Sequence, residues 1–393
     1  MAYLASHGRG VETGRLADGN DEISSAMYLI LHAFSRRNAG DGLLVDLTFE
    51  ALADAGINRT DCALVALDPE SFNDVDQVYR APGEPSARPS LRLAMAGLEV
   101  LSDAVTAGGL GQIDRLARDA QGLVGVGGGY LVADTPIRQL GVLFNHLVQV
   151  KVAGRSRAPT IYLPQSIGPL HGPVGRMTAH HLRRIDRLYV RDDLTLAEVR
   201  GAHVRRCSDL AVMKLARDLA RSAAGERGDA STVIVGRDLP KAGDYVGRLR
   251  RLGAAVNAPR WAVQADLNGR RSDRSFYQRN GFVDGGDLSC LLAQGRPGVV
   301  VSVRLHGAIS SLIAGRPAIH LAYERKGWGA YEDLGIAAYA HDARTFDPDA
   351  VAAQARDLHD DPEPFWTRVH KAAPALRTQY DAMVSDMRAR LVG

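Results

Sequence analysis

An Arg and a His stand where a buried strand ends, in the segment VVVSVRLHGAISSLIAGRPAIHLAYERKGWGAYEDLGI over 299–336. Residues 299–303 are β-branched apart from one Ser, without polar alternation, as a strand covered on both faces requires. Residues 308–314 continue with helical apolar spacing, so Arg304 and His306 fall at the strand's carboxyl end. Open α/β sheets bind ligands in the crevice outside those ends. A fixed guanidinium and a titratable imidazole there suit an anionic substrate and a proton transfer. After the turn Gly315, Arg316, Pro317, a second apolar run at 318–322 delivers Glu324, Arg325 and Lys326 to the same rim. Only five of the 48 basic residues are Lys, so Lys326 is the less expected cation in an Arg-rich chain.

Four further constellations follow expected strands. In NAGDG at 38–42, Gly40 permits a tight turn, Asp41 caps a helix starting at Gly42, and free amides near Asn38 can face an anion; a plain N-cap accounts for the same residues. In VGVGGGYL, Gly127, Gly128 and Gly129 allow close backbone approach. Their spacing is not the dinucleotide fingerprint, which leaves a backbone-lined cleft wall or a flexible turn. In LPQSIGP at 163–169, Gln165 and Ser166 offer neutral hydrogen bonds to hydroxyl or phosphate oxygens on a loop stiffened by Pro164 and Pro169; a rigid connector is the other reading. Ser166 lacks the Gly-x-Ser-x-Gly frame of a nucleophile elbow. In YVRDDLTLAEVR at 189–200, Arg191 is either an anion clamp or a local partner of Asp192 or Asp193. Ser208 and Asp209 in CSDLAV read as structural. His180 and His181 read as a solvated helix face, and Trp261, Trp328 and Trp366 are too scattered for a stacking platform.

The elements that must position these residues alternate throughout. Strands are expected over 28–34, 62–67, 122–126, 160–163 and 187–190, with helices over 42–55, 91–106, 136–153, 174–185 and 194–200 and a Pro-rich loop over 80–89. A charged stretch with a Gly- and Ser-bearing end, 214–231, holds the expected boundary. A second series has strands over 232–235, 261–264, 299–303 and 318–321 and helices near 242–252, 287–294, 306–314 and 329–334, closed by a long amphipathic helix over 363–391. This β–α alternation predicts an α/β chain of two Rossmann-like domains with a central cleft, 27–220 and 221–393, after a disordered leader over 1–26 with Met27 as an alternative start.

At 393 residues each domain can bury its own core. The net charge of +3 gives no reason to expect nucleic acid as partner. Cys62, Cys207 and Cys290 lie far apart, which suggests neither disulfides nor a metal site and fits a reducing cytoplasm. No apolar run approaches the roughly 20 residues of a membrane span.

Taken in order over 28–336, N-A-G-D-G, G-G-G, P-Q-S-I-G-P, Y-V-R-D-D, C-S-D-L-A and S-V-R-L-H-G-A followed by G-R-P-A-I and a Lys resemble the polysaccharide pyruvyl transferase family. The resemblance implies a GT-B-like fold. It also implies an enzyme that takes phosphoenolpyruvate as donor, without a further cofactor, and sets a pyruvate ketal across two hydroxyls of a sugar in a bacterial cell-surface or exported glycan. Arg304 and His306 fall on the family's Arg-Leu-His motif and Arg191 on its Arg-Asp motif, the positions tied to donor binding and catalysis. Glu324 and Arg325 before Lys326 depart from the commonest pattern. On this reading Arg191, Arg304 and Lys326 hold the donor, and His306 serves as acid toward its methylene carbon or as base for a hydroxyl. Asp41 is a second base, and Asn38, Gly128, Gly129, Gln165 and Ser166 line the substrate. The acceptor is a glycan or a lipid-linked saccharide, with room for peripheral membrane association and for a homo-oligomer. Two other readings stay open, a nucleotide-sugar glycosyltransferase on the same architecture and a non-catalytic glycan-binding protein.

Overall fold

The computed structural model describes residues 27–82, 108–219, 229–240, 242–256, 258–267, 269, 272–294 and 297–393. The expected leader 1–26, the helix over 91–106, most of the loop over 80–89 and residues 220–228 of the expected boundary lie outside the described residues.

Continuous apolar runs build two parallel sheets. The first comprises β1 Tyr28–Ala33, β2 Cys62–Ala66, β3 Val78–Arg80, β4 Gly122–Gly125, β5 Gly128–Ala133, β6 Thr160–Leu170, β7 Arg187–Val190 and β8 Val204–Arg206. Its order is β3-β2-β1-β4-β6-β7-β8, with β5 paired to β6. The second comprises β9 Thr232–Val235, β10 Arg260–Val263, β11 Asp284–Asp287, β12 Val299–Ser302, β13 Ala318–Ala322 and β14 Ala340–Asp342, ordered β11-β10-β9-β12-β13-β14. Every residue of β1, β2, β9, β12 and β13 is buried, which is why those strands read as near-continuous apolar runs without polar alternation. Strand order reverses between β1 and β4 in the first sheet and between β9 and β12 in the second, and such switch points open a crevice at the strands' carboxyl ends.

Several local expectations change. LPQSIGP is not a loop: β6 continues through it to Leu170, and the register shift between Tyr162 and Gln165 accommodates Pro164, which has no N–H to give to a neighbour. Gly128 and Gly129 begin β5 instead of forming a turn. The first helix starts at Ala39, one turn earlier than expected, because Asn38 and not Asp41 caps it, its Oδ1 accepting from the Gly40 amide at 3.3 Å. The expected helix over 136–153 divides into Pro136–Asn145 and Leu147–Ala153 at His146.

One apolar core runs from a face of the first sheet through helices Ala39–Ala55 and Leu210–Asp218 into the second sheet. The helix Glu363–Leu391 ends against the first sheet, where Tyr28 Oη donates to Leu391 O at 3.0 Å and Tyr189 Oη to Asp386 at 2.7 Å. Beside the cleft, residues 37–39 pair with 264–266: the Ala39 amide donates to Gln264 O at 3.1 Å and the Asp266 amide to Arg37 O at 2.9 Å.

Candidate functional site

Two cations from opposite sheets converge on a bare stretch of backbone. Arg191 follows β7 and Lys326 follows β13; a Cβ built on Gly129 would lie 3.0 Å from Arg191 Nη2 and 3.6 Å from Lys326 Nζ. Arg191 is almost wholly buried. Its Nε donates to Ser166 Oγ at 3.0 Å and its Nη1 to Asp209, which leaves Nη2 as the edge turned toward Gly129. Lys326 is paired with Glu324 at 2.9 Å. Burial works against the ammonium, but Glu324 and Tyr323 outweigh it and hold the Lys326 pKa above its usual value.

His306 closes the second side. A Cβ on Gly40 would lie 2.9 Å from His306 Cβ and 3.0 Å from its Nδ1, so this glycine is required by close approach. On the ring's other side, Nε2 faces Asp209 Oδ2 at 3.4 Å. Asp209 therefore joins Arg191 and His306. Burial opposes its ionisation, but Arg191 and then His306 hold its carboxyl well below the ordinary range. Asp41 behaves oppositely. Burial pushes its pKa up, against the pull of His306, the Asn38 Nδ2 hydrogen bond at 2.7 Å, Lys326 and Arg304. A carboxylate fixed as an anion and a carboxyl made easier to protonate thus flank one imidazole, the pattern that separates acid and base roles.

Other expected contacts are engaged with the protein itself. Arg304 caps helix Leu305–Ile313, and its Nε donates to both oxygens of Asp273, at 3.0 and 2.8 Å. Asp273 also accepts from the Gln264 and Ala265 amides at 3.1 and 3.0 Å, so Arg304 is locked against the end of β10. Gln165 and Ser166, expected to line the substrate, are both buried and hydrogen-bonded within the protein. Gln165 Nε2 donates to Tyr130 Oη at 2.8 Å and Val126 O at 3.3 Å, while Ser166 Oγ donates to Asp192 at 2.6 Å and accepts from Arg191. They shape the site through Arg191 and Tyr130.

Arg325, part of the stretch that departs from the family pattern, reaches across the seam. Its Nη2 donates to the Ile167 and Gly168 carbonyls and to Thr195 Oγ1, the last two at 2.8 and 3.3 Å, and its Nε lies 3.6 Å from Asp192. This grip on β6 carries the neighbouring Lys326 over Gly129. Behind Gln165 a buried ring cluster supports Tyr130. His32, with a left-handed φ of 72° at a register shift in β1, stacks on Tyr130 at 4.9 Å and meets Tyr162 Oη at 2.7 Å through Nε2. Burial lowers the pKa of His32 well below the usual value and that of His146 beside it to about 3, so both are neutral at physiological pH.

Asp209, read from the sequence as structural, and Asp273 are the site residues that sequence reasoning missed. Asp209 had one usable signal, a carboxylate capping a helix directly after a strand. Nothing in RRSDRSF marks Asp273. Among the described residues, no three His, Cys, Asp or Glu side chains gather to hold a metal ion, and no helix is long and apolar enough to cross a membrane.

Compared with known proteins, residues 38–267 match the family model described as polysaccharide pyruvyl transferase. No curated protein matches the chain. Among solved structures, a UDP-GlcNAc 2-epimerase from Neisseria meningitidis bound to UDP-GlcNAc superposes with a TM-score of 0.51 at 10% identity, over 92% of this chain and 99% of that one. Spinosyn forosaminyltransferase SpnP superposes with a TM-score of 0.46 at 14% identity, over 94% and 98%. The first likeness shows the fold, two parallel α/β sheets in the GT-B manner, and no activity.

Proposed function

The chain belongs to the polysaccharide pyruvyl transferase family, and from that premise we propose that it moves the pyruvyl group of phosphoenolpyruvate onto two hydroxyls of a sugar in a bacterial cell-surface or exported polysaccharide, as a ketal. The observation that carries this reading is the convergence of Arg191 Nη2 and Lys326 Nζ on Gly129, beside His306 and Asp41. Phosphoenolpyruvate presents a carboxylate and a phosphate on one small frame. Two fixed cations over bare backbone suit such a doubly anionic donor.

The chemistry then follows from the neighbours. Asp41, whose pKa is raised, gives a proton to the donor's methylene carbon, making the central carbon electrophilic. With Asp209 accepting the Nε2 hydrogen, His306 keeps Nδ1 as a base on the Gly40 side, where it takes the proton of the first attacking hydroxyl. Phosphate leaves under Arg191 and Lys326, and the second hydroxyl closes the ketal. The protons balance: two hydroxyls release two, one becomes part of the methyl group and one leaves with phosphate.

The test is incubation of the full chain with phosphoenolpyruvate and a panel of oligosaccharides bearing free diols, following phosphate release and glycan mass together. Phosphate release matched by the mass increment of a pyruvate ketal supports the reading. Sugar transfer from a nucleotide sugar, with phosphoenolpyruvate inert across the panel, contradicts it.

A further inference from the structure

Phosphoenolpyruvate brings more negative charge than the two cations over Gly129 can meet. It adds a carboxylate to a phosphate monoester, which carries about −1.5 to −2 charge near neutral pH. Arg191 already faces Asp209, and Lys326 already faces Glu324 at 2.9 Å, so each of these cations comes with its own carboxylate. The balance calls for a further cation close by.

Three neighbouring strands of the second sheet, β9, β12 and β13, end on one rim beside the switch point between β9 and β12. Arg304, after β12, is locked to Asp273. Arg237, two residues after β9, has no such match. Its Nη1 donates to Tyr323 Oη and its guanidinium lies over the Tyr323 ring, 5.0 Å from the centroid, but among the described residues no carboxylate lies within ion-pair distance of it. The side chain is half-buried. Its Nε is buried without a partner, whereas Nη2 has no hydrogen bond among the described residues and is not sealed from solvent, so it is the edge a ligand can reach.

Tyr323 is itself fixed, because Arg344 Nη1 donates to its carbonyl at 3.1 Å. The next residue, Glu324, feels both cations. Partial burial works against its carboxylate, but Lys326, and then Arg237 and Arg138, hold its pKa below the ordinary value. Arg138 is matched by Asp134 at 3.1 Å, which leaves Arg237 as the neighbour with charge to spare. The Glu324 side chain is 40% exposed, so its carboxylate has solvent to move into.

We propose that the donor's phosphate binds between Lys326 Nζ and Arg237 Nη2, taking the place of the Glu324 carboxylate, which turns out to solvent. The inference rests on the transferase reading above and adds Arg237 to it as a phosphate-binding residue. Glu324 is then the anion that holds the two cations in readiness while the donor is absent.

Titration calorimetry with inorganic phosphate as the probe, on the full chain and on Arg237→Gln, Glu324→Gln and Arg279→Gln, tests it. Arg279 is the control, an exposed guanidinium paired with Asp238 at 3.1 Å, whose replacement removes the same charge from the molecule. Loss of one charge-assisted hydrogen bond should weaken phosphate about tenfold in Arg237→Gln. Arg279→Gln should bind phosphate as the wild type does, and Glu324→Gln should bind it more tightly, because the competing carboxylate is gone. The proposal is overturned by equal affinity of Arg237→Gln and the wild type, by an equal loss in Arg279→Gln, by binding to Glu324→Gln no tighter than to the wild type, or by a wild type that binds no phosphate. Should Arg237→Gln fail to fold, Glu324→Gln still decides it. If phosphate behaves as predicted while phosphoenolpyruvate pyruvylates no oligosaccharide, the phosphate site stands and the transferase reading falls.

Discussion

Arg191 and Lys326, supplied by different sheets, meet over Gly129: a Cβ there would stand 3.0 Å from the Nη2 of one and 3.6 Å from the Nζ of the other. Gly129→Ala puts a methyl group where the donor's oxyanion is expected to lie. The residue is exposed and its φ is not among the left-handed ones, so the fold should persist. Stabilisation of the protein by phosphoenolpyruvate should disappear, and kcat/KM should fall by roughly 100-fold, the scale on which small misplacements act. Thermal shift and phosphate-release kinetics on the variant check both.

Gly40→Ala separates binding from chemistry. The added Cβ lies 2.9 Å from His306 Cβ and must displace the imidazole, while Arg191 and Lys326 stay in place. Turnover should fall about 10- to 100-fold with little change in the melting shift given by phosphoenolpyruvate. A lost shift with intact turnover would place His306 in the donor-binding role instead.

Arg304→Ala strands Asp273, a fully buried carboxylate that otherwise receives a two-oxygen hydrogen bond. Removing one partner of a buried ion pair costs on the order of 3–5 kcal/mol, so this variant should melt well below the wild type, whereas His306→Ala should not. Chemical denaturation of the two variants side by side decides it.

Asp209→Asn tests the acid limb of stability. The folded-state pKa of Asp209 lies well below the ordinary range, although burial alone would raise it, because Arg191 and His306 face it. Its contribution is therefore complete above the unfolded value of about 3.9 and is lost as pH falls from there toward the folded value. The wild type should lose stability steeply below about pH 4. The Asn variant should be less stable at neutral pH and show a shallower acid slope in denaturant titrations.

Much of this site was legible in the residues, and the reasons are specific. VVVSV carries no charged residue because β12 is buried on both faces, and the run by itself places Arg304 and His306 at a strand end. IHLA did the same for Lys326. The failures were of two kinds. Strands β3, β8, β11 and β14 are three or four residues long and carry polar, charged or Gly residues in place of an apolar run, and the part of β6 beyond the expected 160–163 hides behind two prolines that ordinarily signal a loop. Side-chain pairing was the second. Arg191 and Arg304 look alike as cations after strands, but Arg304 turns an edge to Asp273, while Arg191 keeps Nη2 toward Gly129. Only the contact of Arg304 with Asp273, a residue 31 positions away in sequence, distinguishes them.

The central claim is that the paired cations over Gly129 form a phosphoenolpyruvate site. Titration calorimetry of phosphoenolpyruvate into the full chain and into Lys326→Gln tests this most directly. A saturable heat in the wild type, weakened at least tenfold by the loss of about 1.4 kcal/mol or more in the variant, is the predicted result. Equal binding by both proteins, or no phosphoenolpyruvate heat alongside tight binding of a uridine diphosphate, would contradict it.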